Sequence, residues 1–267
     1  MTVLFSVCMN GGLPAVNAAI TAVLATLGAC AASFINVAAL RRAKGMDYLT
    51  GRSHCPACGR AIGWYDLIPV MSWLMLAGRC RACKTRISPR YLIVELTGAL
   101  VSALCFIRYG LNGMAAIAFG AAIILLAVAL IDLSMKEIPD GLVIALIPFA
   151  AGAAWAQPEV SLLSRAVGIL AVSLPMLVLA LAVNGAFGGG DIKLMAVCGF
   201  LLGWQNTALA FFLSVVTAGC FSLSLILRRK APKGACIAFG PHLCLGTVAA
   251  MLYGDEILSW YLKLAGL

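Results

Sequence analysis

Eight apolar runs divide this chain, and they leave its backbone few ways to fold. They cover about Ala15 to Leu40, Tyr91 to Gly110, Gly113 to Ile131, Gly141 to Ala156, Ala166 to Phe187, Ile192 to Gly203, Ala208 to Leu227 and Cys236 to Tyr253. In hydrocarbon no water pairs with backbone N–H and C=O groups, so a spanning segment must satisfy them internally. With 63% hydrophobic residues, 11% charged residues and a mean hydropathy of +1.03, the chain reads as an all-α polytopic membrane protein of about eight transmembrane helices. The first run lacks a charged segment before it and is too long for the apolar core of a removable signal peptide. The expected organisation is a first span in 1–40, a polar loop in 41–90 and a membrane core in 91–267.

The net charge of +9 raises the question of a nucleic-acid partner, and its distribution answers against one. Ten of the 19 Lys and Arg residues lie between Arg41 and Arg90, and four more between Arg228 and Lys233. Basic loops beside apolar spans are the mark of the cytoplasmic side. With the N-terminus outside and eight crossings, 16 positive residues fall inside and three, Arg108, Arg165 and Lys263, fall outside. The charge therefore reports topology, and the partner it implies is the bilayer. The tail after Gly254, with Trp260 and Tyr261, is expected at an interface.

The cytoplasmic loop carries Cys55-Pro56-Ala57-Cys58 and Cys80-Arg81-Ala82-Cys83, with 21 residues between the pairs. Two such knuckles supply four thiolates to one tetrahedral zinc ion. Disulfides are the competing reading, and they seldom persist in the cytoplasm. Four thiolates close the coordination sphere, so the metal is structural and supplies folding energy to a loop with little core. His54 is then a bystander. The remaining cysteines, Cys8, Cys30, Cys105, Cys198, Cys220, Cys236 and Cys244, stand among small and apolar residues and read as small hydrophobes.

Ionisable groups at membrane depth need a cavity, a partner or a purpose. Gly188-Gly189-Gly190-Asp191-Ile192-Lys193 places one carboxylate beside a backbone free to bend, and Asp132 closes an earlier run on the same membrane side. Two aspartates in a partly dry site share a proton and act as base and acid, which is the chemistry of peptide hydrolysis. Asp140, after Pro139, reads as the cap of the fourth span. Lys136 and Lys193 either tune the aspartates or anchor the helices. Asn36 is read either as a helix–helix hydrogen bond or as a contact to substrate or to the next domain. Glu95 either pairs with Arg90 or faces a cytoplasmic cavity as a functional carboxylate.

With these residues assembled, the chain resembles the bacterial type IV prepilin peptidases, bifunctional leader peptidases and N-methyltransferases. The resemblance runs from Ser33-Phe34-Ile35-Asn36-Val37 to Phe239-Gly240-Pro241. It includes the paired knuckles with Trp64-Tyr65-Asp66-Leu67-Ile68-Pro69 and Ser72-Trp73, then Glu95-Leu96-Thr97-Gly98, Ile131-Asp132, Ile138-Pro139-Asp140 and Gly188-Gly189-Gly190-Asp191. It implies that Asp132 and Asp191 are the catalytic pair of an intramembrane aspartic protease, in a bacterial cytoplasmic membrane with the site facing the cytoplasm. It further implies cleavage of basic leaders from prepilin or pseudopilin precursors and methylation of the new N-terminus from S-adenosylmethionine. Gly188, Gly190, Glu95, Asn36 and Lys193 are the supporting candidates. The chain departs from the pattern at Leu92, where proline is frequent, and at His242, where an apolar residue is usual. The sequence alone leaves two alternatives: a peptidase without methylation, and a zinc-stabilised scaffold or transporter whose aspartates relay ions.

Overall fold

A computed structural model describes residues 14–47, 51–183, 185–228 and 237–266. Cys8, Cys236 and the Arg229, Lys230 and Lys233 part of the basic cluster lie outside the described residues. The helices, in chain order, are α1 (Pro14–Ala43), α2 (Met71–Met75), α3 (Pro89–Tyr109), α4 (Gly113–Met135), α5 (Asp140–Ala156), α6 (Leu162–Ala182), α7 (Gly189–Leu202), α8 (Trp204–Leu227) and α9 (Gly240–Leu264). No β-strand occurs among the described residues. Apart from the short α2, these helices follow the eight apolar runs in order. Five are long and apolar enough to cross a membrane, namely Val16–Ala43 of α1 with α3, α4, α6 and α8.

Two helix ends depart from expectation. The fifth run stops at Ala182 rather than Phe187, which leaves Phe187 in the turn before α7. The tail expected to leave the eighth run at Gly254 stays helical to Leu264. A side chain at Gly254 would collide with Asn206, whose Nδ2 donates to Asp255 Oδ1 at 3.0 Å. That contact binds the later turns of α9 to the start of α8.

The chain forms two compact units, Met1–Ala115 and Ala116–Leu267. In the first, α1 packs antiparallel on α3. Gly28 and Gly98 face each other so closely that a Cβ on either would strike the other's carbonyl. Lipid tails are as apolar as leucine, so helices in a bilayer associate through such close backbone packing. Ser102 Oγ extends the seam by donating to Leu24 O at 2.8 Å. In the second unit, Gly168 of α6 and Gly199 of α7 repeat the device.

The second unit also contains a cation that charge counting had placed simply outside. Arg165, in the first turn of α6, is fully buried. Its Nη1 donates to Phe200 O (3.0 Å) and Leu201 O (2.6 Å), and its Nη2 to Ala153 O (3.1 Å) and Gln157 O (3.2 Å). All four carbonyls stand at or just beyond the C-terminal ends of α7 and α5; Ala153 O and Gln157 O also accept the N–H groups of Gln157 and Val160, while Phe200 O and Leu201 O belong to the last turn, which a helix cannot satisfy itself. Arg165→Met keeps the volume and strands the Phe200 and Leu201 carbonyls in an apolar setting. It is expected to destabilise the protein by at least about 3 kcal/mol, read as a lower thermal midpoint in detergent or bicelles.

Candidate active site and metal centre

Asp191 is the third residue of α7, and its Oδ2 accepts the N–H of Gly188, the residue that precedes the helix, at 3.3 Å. The GGGD motif thus has a local cause. Gly190 packs against Ile138, where a Cβ would come within 2.8 Å of the isoleucine Cβ. The glycine lets the first turn of α7 approach the segment that follows α4.

Asp132 lies in the last turn of α4 and is only 6% exposed. Its Oδ2 accepts the N–H of Gly240, the first residue of α9, at 3.0 Å. A Cβ at Gly240 would sit 2.6 Å from that oxygen. Each carboxylate therefore occupies the positive end of a helix dipole, Asp132 at α9 and Asp191 at its own helix. Ile138, six residues after Asp132, meets Gly190, the neighbour of Asp191, so the segments that carry the two carboxylates adjoin. The two donors are themselves linked, because Gly188 and Gly240 each follow a phenylalanine and the Phe187 and Phe239 rings are 5.7 Å apart.

Asp140 does not cap. It is the first helical residue of α5, behind Pro139, and its carboxylate instead takes Lys193 Nζ at 2.9 and 3.0 Å. The pair ties the first turns of α5 and α7 together two residues from Asp191. Both partners are largely exposed, so the pair contributes little to stability. Lys136 turns the chain after α4 with φ +56°, its N–H closing on Asp132 O at 2.8 Å. His242 meets the ring of Phe221 at 5.6 Å. Sequence reasoning missed three other rings: Phe187, Phe211 and Phe239. Phe187 and Phe239 have centroids 5.7 Å apart, and Phe211 lies 6.3 and 6.4 Å from them. The available signal was that Phe187 and Phe239 each directly precede a motif glycine.

In the first unit the four knuckle thiols come together, every sulfur within 4.8 Å of the others. Metal–sulfur bonds of about 2.3 Å in a tetrahedron separate sulfurs by about 3.8 Å, and the Cys55 and Cys83 Sγ atoms are 3.8 Å apart. The two knuckles have the same backbone plan. Cys55 N–H bonds Arg60 O and Cys80 N–H bonds Thr85 O, both at 2.9 Å, while Gly59 and Lys84 take φ +69° and +60°. The Thr85 hydroxyl and N–H bring the Cys83 thiol down to about 6, and the Cys58 and Ala57 N–H groups lower Cys55. At Cys58 the Arg60 N–H acts the same way, but desolvation and the Cys83 and Cys55 sulfurs prevail and push it up to about 11. Four thiols so close do not ionise together without a cation to compensate them. The donor set fits one metal ion. His54 stays outside it, with Nδ1 3.3 Å from Arg52 O.

The stretch between the knuckles braces them. Asp66 accepts Arg81 Nη2 at 2.7 Å and Nε at 3.0 and 3.1 Å, and the guanidinium lies over the Tyr65 ring at 5.3 Å. Arg81 holds the Asp66 carboxyl below its ordinary value. The partners of the Glu95 carboxylate are not Arg90 but Ser33 and Val70. Glu95 is 7% exposed and joins three segments, with Oε1 accepting the Ser33 hydroxyl at 2.7 Å and Oε2 the Val70 N–H at 2.8 Å. Val70 holds φ +64° to make that bond. Asn36, one helical turn from Ser33, is fully buried and both atoms of its amide lack a partner, so of its two readings the helix–helix hydrogen bond is not formed.

The metal centre carries a direct test. Cys58→Ser should reduce bound metal well below the one ion per chain that four ligands hold. Elemental analysis of protein purified under reducing conditions checks it, and limited proteolysis should find residues 51–88 more open in the variant.

The comparisons agree with this layout. A family model described as the bacterial peptidase A24 N-terminal domain matches residues 26–109, and one described as the type IV leader peptidase family matches residues 119–223. Among curated proteins, a prepilin leader peptidase/N-methyltransferase of Bacillus subtilis (strain 168) is 36% identical over 245 residues, 91% of this chain and 98% of that protein. Proteins of the same description from Stutzerimonas stutzeri and Pseudomonas aeruginosa are 35% identical over 224 residues and 34% over 223, each covering 80% of this chain and 76% of the relative. No solved structure matches. Two family models in series and relatives aligned over most of their length make this chain a member of the type IV leader peptidase family.

Proposed function

We propose that this chain removes the leader peptide from prepilin or pseudopilin precursors with Asp132 and Asp191, and methylates the new N-terminus, at the cytoplasmic membrane face. The observation that carries the peptidase reading is that two carboxylates, each held by a backbone N–H at a helix start, stand on segments that adjoin through Gly190 and Ile138. One aspartate, ionised, takes a proton from water as the water oxygen attacks the scissile carbonyl carbon. Its protonated partner donates to the carbonyl oxygen. Collapse of the tetrahedral intermediate breaks the C–N bond, and the departing amine takes up a proton from the pair. The Gly240 and Gly188 N–H groups hold the two carboxylates in place for these transfers.

Placement at a boundary gives water access. At 1.5 Å per residue, the 14 residues of α7 reach about 21 Å, short of a hydrocarbon layer of roughly 30 Å. A crossing helix that short keeps an end close to one face. The 16-to-three distribution of positive residues in the sequence supports assigning that face to the cytoplasm. Lys193, paired with Asp140, steadies the turn that carries Asp191.

Zinc is the ion we assign to Cys55, Cys58, Cys80 and Cys83, in a structural role. S-adenosylmethionine would supply an electrophilic methyl group to the freed amine. The residue in this chain that suits its polar amino-acid end is Asn36, whose buried amide offers an unpaired donor and acceptor next to the Glu95 junction.

Asp132→Asn and Asp191→Asn should each abolish leader cleavage with the protein still in the membrane, because an amide cannot act as the base. Asp140→Asn should retain most activity. Gly240→Ala should lower activity at least about tenfold by displacing Asp132. Mass spectrometry of a co-expressed pilin reads both products, the cleaved chain and the added methyl group. Cleavage that persists in both aspartate variants rules out the assignment and leaves an ion-relay role.

A further inference from the structure

The two carboxylates are held by separate pieces of backbone, and the same three rings join those pieces. Gly188, which donates to Asp191, follows Phe187; Gly240, which donates to Asp132, follows Phe239. The Phe187 and Phe239 rings are 5.7 Å apart and tilted by 49°. Phe211, in the second turn of α8, lies 6.3 Å from the first ring and meets the second edge-on at 6.4 Å. These separations and tilts fall within the range that aromatic pairs favour, because the edge of one ring is positive and the face of the other negative.

We infer that Phe187, Phe211 and Phe239 form a positioning cluster that sets the distance between the two carboxylates. Each carboxylate accepts one hydrogen bond from a backbone N–H one residue from a ring, so a shift between the rings is passed to the donors and from them to the carboxylates. Phe211 is the informative member. It adjoins neither glycine, comes from a helix that contributes no carboxylate, and contacts both other rings. It acts on the reacting groups only through Phe187 and Phe239.

The cluster could instead be plain apolar filling, or a surface against which the peptide substrate lies. The three roles separate by experiment. This inference rests on the reading of Asp132 and Asp191 as the catalytic pair, which the asparagine variants test by themselves. If those variants are inactive and Phe211→Ala cleaves at the normal kcat, the inference alone fails.

A truncated prepilin peptide of fixed sequence is the probe, cleaved by full-length enzyme in detergent or nanodiscs. Phe211→Ala should lower kcat at least about tenfold, the scale on which small misplacements of reacting groups act, with KM within about twofold. Phe211→Tyr, which keeps the ring, should restore kcat. The thermal midpoint and the metal content of the cysteine loop should remain close to those of the unaltered protein in both variants. A raised KM with kcat retained would overturn the inference in favour of a substrate contact. Loss of kcat that Phe211→Tyr fails to restore, or that tracks a lowered thermal midpoint, would overturn it in favour of filling. Phe211→Leu keeps apolar bulk without ring edges and serves where the alanine variant does not fold; kcat equal to that of the unaltered protein would again overturn it.

Discussion

A helix in hydrocarbon satisfies the middle of its own backbone and leaves both ends to the rest of the protein. Much of what is distinctive here answers that constraint. The C-terminal carbonyls of α5 and α7 are taken up by the buried guanidinium of Arg165. At the opposite ends, the free N–H groups that start α7 and α9 are turned towards Asp191 and Asp132. The same physics that demands an acceptor at a helix start also places a carboxylate there, held by a donor that cannot swing away. Capping and preorganisation of the pair are one arrangement.

The two units meet different demands. In Ala116–Leu267 the helices pack through small residues, and the carboxylates enter at helix ends where the backbone can hold them. In Met1–Ala115 the polar loop has too few apolar residues to fold around a core of its own. Its order comes from a metal-binding cluster, from the Asp66–Arg81 brace between the knuckles, and from Glu95, which ties α1 and the turn into α2 to α3. Glu95 binds the loop to the apolar hairpin with both of its oxygens. The cost includes a β-branched residue, Val70, held at positive φ.

The unpaired amide of Asn36 contrasts with the economy elsewhere. A buried amide without partners costs about 1–3 kcal/mol, and Asn36 lies one helical turn from Ser33, whose hydroxyl is taken by Glu95. A second substrate that brings both a donor and an acceptor would meet that deficit.

Apolar run length, knuckle spacing and charge asymmetry were readable from the sequence because each depends on residues near one another in the chain. They gave the helical class, the order of the helices and the four-thiol cluster, and the motif order pointed to the family. Only the tertiary structure brought Asp132 into contact with Gly240, gave Asp140 to Lys193 rather than to a cap, and buried Glu95 under Val70. It also turned Arg165 inward, where charge counting had placed it with the few positive residues of the outer side. The three phenylalanines look ordinary in the sequence and acquire meaning only when separate turns bring their rings together. The physical reason is common to all of these cases: a side chain's type and its place along a helix fix what it can bond, while its partner is supplied by a distant segment that only the packed helices bring within reach.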